Sequence, residues 1–227
     1  MKEQIYTIPI NESFERRSGC PVCRLESKLE TDALEYITGA AMMEPDVRIK
    51  TNRMGFCHRH YTAMAGMNSR LSLALMLESH LSFIGCEGLA RINSKKTVKT
   101  AAAVLEEVAA SCFVCARTEE YLAHYYDNIA YMWKTEAHFR SLFDEQESIC
   151  FRHTAGQMGR AVKVLSASDA ALFGGAVNTL LRKTFAPISG SISSFTKSFD
   201  YRFAGELSED DKASVENAIC MLTGEES

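Results

Sequence analysis

Apolar residues along this chain recur at spacings of three and four, the period of a helix with one buried face. In CRLESKLETDALEYITGA, starting at Cys23, the positions Leu25, Leu29, Ala33, Tyr36 and Ile37 make one apolar stripe. Tyr121, Tyr125, Ile129 and Met132 repeat it further along. Helices are also predicted over NSRLSLALMLESHLSFIGCEGLARI, with Asn68 or Ser69 as cap, and over TAAAVLEEVAASC and SDAALFGGAVNTLLRKTF. Pro45 suits the first turn of a short helix over residues 44–53. Near the end, SEDDKASVENAICMLTG predicts a helix capped by Ser208 and stopped by Gly224. The alternation expected of strands is hard to find, so the fold class is all-α.

The second half of the chain repeats the first. Cys20 and Cys23 fall on Cys112 and Cys115 at an offset of 92, and Cys57 and His60 fall on Cys150 and His153 at an offset of 93. Glu44 and Arg48 match Glu136 and Arg140, again at 92, and Arg59 matches Arg152. Such agreement points to an internal duplication. The expected organisation is a first helical module over residues 1–92, a second over 93–185, and a C-terminal amphipathic segment and helix over 186–227, with the polar RINSKKTVKT as the boundary between modules. In the last part Ile188, Ile192, Phe195 and Phe199 are spaced as on a helix, and the segment through Phe203 is expected to fold back on the body.

Each copy therefore carries a C-x-x-C pair and a C-x-x-H pair. Two sulfurs in a C-x-x-C turn can take one ion, and residues at i and i+3 of a helix start can chelate together. Pairing within each copy gives two sets of three cysteines and one histidine: Cys20, Cys23, Cys57 and His60, then Cys112, Cys115, Cys150 and His153. Zinc favours such a closed, four-coordinate set, so two structural Zn2+ per chain are expected. Competing chemistries are a redox dithiol, which normally accompanies a βαβ pattern, and an iron–sulfur cluster.

The other candidates are weaker. Cys86 and Cys220 have no repeat partner and are expected to be buried, inert thiols. His58 aligns with Phe151 and is left out of the ligand set. His80, His124 and His138 stand near acids, and Glu120 with His124 has the spacing of a surface helix pair. Glu44/Arg48 and Glu136/Arg140 are expected to brace short helices and to orient a ligand from behind.

A formal net charge of -4 at pH 7 argues against the phosphate backbone as main partner, so a nucleic-acid-binding regulator is only an alternative reading. The first seventeen residues lack the apolar core of a secretory leader, and no apolar run is long enough to suggest a membrane span. A cytoplasmic protein is expected, in which eight cysteines call for metal or redox chemistry. No phosphate loop, nucleophile elbow or H-E-x-x-H is present, and an enzyme is unsupported. The expected role is a zinc-stabilised module that binds protein partners or acts as a scaffold, with a thiol/zinc redox sensor as the other alternative.

The opening MKEQIYTIPINESFE, CPVCRLE, MMEPDVRIKTN running into GFCHRHY, LALMLESHL and the late FDYRF together resemble a bacterial family catalogued only as a domain of unknown function. The resemblance covers nearly the whole chain and implies the paired C-x-x-C and C-x-x-H pattern, without an activity.

Overall fold

A computed structural model of the chain describes residues 4–89, 91–200, 202 and 207–224. Among the described residues every regular element is helical. In chain order these are α1 (Gln4–Glu15), α2 (Pro21–Thr38), a 3₁₀ turn (Ala40–Met43), α3 (Pro45–Met54), α4 (His58–Gly66), α5 (Arg70–Glu87), α6 (Lys95–Ala110), α7 (Phe113–Thr135), α8 (Ala137–Asp144), α9 (Phe151–Val164), α10 (Ala167–Lys197), α11 (Glu209–Lys212) and α12 (Ser214–Thr223). None of these helices is long and apolar enough to cross a membrane.

The duplication is visible in this order. Helices α1 to α5 of the first copy correspond in sequence to α6 to α10 of the second, and α11 and α12 are additional. Helix starts follow local chemistry. Pro45 opens α3, and Ser94, Ser166 and Ser208 each accept a backbone N–H from the third residue of their helix. Ser94 also completes a reciprocal cap with Thr97, so a helix begins inside the segment expected to be a linker. A second departure lies at the N-terminus, where residues with no recognised periodicity form α1 in spite of Pro9. Its Ile10 and Phe14 are almost wholly buried.

The chain divides into two compact units, one comprising Lys28–Tyr121 and the other Met1–Ser27 with Leu122–Ser227. Both boundaries fall inside helices, α2 and α7, instead of at residue 92. The contiguous unit therefore takes most of the first copy plus α6 and the start of α7. The other takes α1 and the start of α2 together with the remainder of the second copy.

Within the contiguous unit, Ala33, Ile37, Val47, Phe56, Met64, Met76 and Phe113 form a buried core around the buried Cys112. Phe113 donates its backbone N–H to the Gly55 carbonyl at 3.0 Å, and Ser111 donates to the Met54 carbonyl at 2.7 Å. These bonds fix the start of α7 against the turn before α4. In the other unit Phe14 packs on Phe139 and Phe143, with ring centroids 5.0 and 5.8 Å apart. The fully buried Gln146 donates to the carbonyls of Phe14 and Leu142 at 2.5 and 2.9 Å, tying α1 to the end of α8.

The segment from Ile188 continues α10 across Pro187 and forms no separate element. Phe199 is 78% exposed, and Phe203 lies outside the described residues. Cys86, in the last turn of α5, and Cys220, in α12, are exposed, contrary to the expectation of buried thiols.

Candidate metal centres

All eight candidate ligands gather into two clusters, but the pairing expected within each copy is overturned. Cys20 and Cys23 join Cys150 and His153, while Cys57 and His60 join Cys112 and Cys115, and in each cluster the ligand atoms lie within 4.8 Å of one another. The C-x-x-C of one copy thus meets the C-x-x-H of the other. The physical reason is the helix contacts just described: α1 packs on α8, which carries the first C-x-x-C to α9, and α6 and the start of α7 pack beside α3 and α4.

In the first cluster, Cys20 and Cys23 stand at the start of α2, and Cys150 and His153 at the start of α9. His153 Nδ1 lies 3.6, 3.3 and 3.2 Å from the sulfurs of Cys20, Cys23 and Cys150, and Cys23 and Cys150 Sγ are 3.8 Å apart. In the second, His60 Nδ1 lies 3.2, 3.2 and 3.5 Å from the sulfurs of Cys57, Cys112 and Cys115, with Cys57 and Cys115 Sγ 3.9 Å apart. A tetrahedral ion with bonds of about 2.3 Å to sulfur and about 2.0 to 2.1 Å to nitrogen requires edges of about 3.8 Å between sulfurs and about 3.6 Å between sulfur and nitrogen. The sulfur–sulfur distances match this and the sulfur–nitrogen distances fall at or slightly inside it, and none of the cysteines forms a disulfide.

Each imidazole turns its other nitrogen toward a carboxylate. His153 Nε2 is 3.2 Å from Glu26 Oε2, and Glu26 also takes two hydrogen bonds from Arg152, at 2.9 and 2.5 Å. His60 Nε2 is 3.7 Å from the buried Glu30, which pairs with Arg59. A carboxylate behind a ligating histidine fixes its tautomer and raises its basicity. The adjacent arginine compensates the charge of a thiolate-rich site. Both acids lie on α2 and were missed from sequence, although Arg59 and Arg152 were seen to match.

The electrostatics of the donor set are those of a cation site. Hydrogen bonds from Cys20 and Cys23 hold the Cys150 thiol down at about 3. Burial works against ionising Cys112, yet hydrogen bonds from His60 and neighbouring backbone bring it down to about 6. Burial and the Cys112 sulfur push Cys115 up to about 12. Burial opposes a charged His60, but Cys112 and Glu30 outweigh it and raise it to about 10. Burial likewise tends to raise Glu26, and His153 with Arg152 holds it below the ordinary carboxylate range. Each cluster can thus hold thiolate charge facing protons that a dication would displace.

The remaining candidates stay outside the clusters. His58 is exposed at the first position of α4, and His124 and His138 are exposed as well. His80 is buried, with its Nδ1 2.7 Å from the Asn52 carbonyl. Among the described residues neither Glu44/Arg48 nor Glu136/Arg140 forms the expected ion pair. Glu44 and Glu136 occupy the positions just before α3 and α8 without a capping side-chain hydrogen bond, and Arg140 donates to the carbonyls of Trp133 and Lys134 at the end of α7, both at 3.0 Å.

Fold and clusters together define an all-α protein with two Cys3His sites able to hold a metal ion. The model of a family of unknown function, DUF6062, matches residues 1–227, and the chain belongs to that family. No curated protein and no solved structure matches it.

Proposed function

We propose that each cluster binds one Zn2+ as a structural ion, and that the chain is a zinc-stabilised helical module whose working surfaces engage other proteins. The observation that carries this reading is the spacing of the donors: three sulfurs and one imidazole nitrogen near the corners of a zinc-sized tetrahedron, twice in one chain. With all four positions filled by protein donors, no position is left for substrate, which favours a structural role over a hydrolytic one. Ligands spread over several irons of a cluster would stand further apart than 4.8 Å, which favours a single ion. Each ion would tie a C-x-x-C turn to a distant helix start in units with modest cores. A protein partner is supported by α5, which exposes Leu71 and Leu81 at 72% and 62% while burying Met76 on another side.

Elemental analysis of protein purified without added metal tests the reading. About two zinc per chain are expected, with loss of helical signal when a strong chelator removes them. Iron, or a folded chain without metal, would contradict it.

A further inference from the structure

The two clusters differ in cover. All four donors of the first are buried, and the end of α12 lies against them: a Cβ placed on Gly224 would stand 3.5 Å from Cys23 Sγ and 3.8 Å from Cys150 Sγ. Helix α12 follows the second copy and has no counterpart after α5, where the chain runs on into α6. In the second cluster His60 and Cys112 are buried, while Cys57 is half-buried and Cys115 half-buried to exposed. The sulfurs of these two less covered residues are neighbours at 3.9 Å, one at the start of α4 and one at the start of α7. The positive charge of Arg59 lies close to both.

We propose that the Cys57/Cys115 pair is a modification site, at which a two-electron oxidant such as hydrogen peroxide forms a disulfide and releases the ion. This rests on the zinc reading above. The Cys115 sulfur attacks one peroxide oxygen, an S–O bond forms, the O–O bond breaks and hydroxide leaves, giving a sulfenic acid. The Cys57 thiolate then attacks that sulfur, the S–S bond forms, the S–O bond breaks and a second hydroxide leaves. Two thiolates have given up two electrons, the peroxide has accepted them, and both hydroxides take protons from solvent. Closing the sulfurs from 3.9 Å to a bond of about 2.05 Å removes two of the four ligands from the ion. Cys112 and His60 alone do not hold it against a chelator. The first cluster, shielded by the end of α12, keeps its ion under the same exposure.

The test is on the full chain carrying its metal, with metal content measured first. Hydrogen peroxide is added in small excess, released metal is followed with a chromophoric chelator, and disulfides are mapped by mass spectrometry after alkylation. The expected result is loss of one ion of the two, with a Cys57–Cys115 crosslink formed in step, and the same course in the Cys86→Ser and Cys220→Ser variants, which remove exposed thiols outside both clusters. Release of both ions at one rate, a first disulfide among Cys20, Cys23 and Cys150, or protection by Cys220→Ser would overturn the inference while leaving the zinc reading intact. A folded chain that binds no metal would defeat both.

Discussion

Glu26 and Glu30 show how much of a candidate metal site lies in residues that would not touch the ion. Glu26 sits within hydrogen-bond reach of His153 and Glu30 stands 3.7 Å from His60, each paired with an arginine, so removing either charge takes a carboxylate from behind an imidazole and the counter-charge from a guanidinium. Glu26→Gln should weaken metal binding at the first cluster by about 10- to 100-fold with the helices retained, measured by competition with a chelator. Glu30→Gln should do the same at the second. Neither acid could be found by repeat matching, since at an offset of 92 Glu26 falls on Thr118 and Glu30 on Leu122. The ligands were legible because every one recurs; their supports were not, because the two copies place them differently. Glycines mark two further tight points. A Cβ on Gly156 of α9 would meet the buried Tyr126 ring and hydroxyl at 2.5 Å, so Gly156→Ala should destabilise the protein by about 1 to 3 kcal/mol in denaturant titration. Gly55 has φ of 59° and would meet His80 at 2.6 Å. Gly55→Ala therefore combines backbone strain with a clash one residue before Phe56 and should lower the melting temperature as well.

At the scale of elements, most helices were legible because a helix with one apolar face writes its period into the sequence. The helix of the α2 stripe, the proline at the start of α3 and the serine before α11 fall where the structure has them, although Tyr36 of the stripe is exposed and the last helix is broken into α11 and α12. Helix α1 was not legible, since Pro9 reads as a breaker and its helical state is set by packing of Ile10 and Phe14. The start of α6 was read as a linker because its lysines face solvent; the reciprocal cap of Ser94 and Thr97 is a shorter signal than the run of charge that hid it. Acid should open both metal sites, because thiolates and a neutral imidazole must take up protons before the ion leaves. With the ligands deprotonated in the bound state, affinity rises with pH and falls as pH drops; metal released against pH, with loss of helical signal in parallel, checks the sign.

For the whole molecule, the lesson is that repeated motifs need not close on themselves. Spacing favoured pairing within each copy, but spacing is weak evidence. Separating Cys23 from its partner Cys150 by 127 positions, where Cys57 is 34 away, adds only about 1 kcal/mol of loop-closure cost. The packing of α1 on α8 through Phe14, Phe139, Phe143 and Gln146 outweighs that, and none of those contacts has a signature in the repeat. An exchanged set of ligands also means that the copies defined by sequence differ from the units that carry the two clusters.

Metal content of two double variants tests this most directly. With crossed pairing, Cys23→Ser with Cys150→Ser damages one site twice and should leave about one ion per chain after a chelator wash, while Cys23→Ser with Cys57→Ser damages both and should leave none. The reverse outcome, no ion in the first and one in the second, would show that each copy closes on its own ligands and would contradict the account.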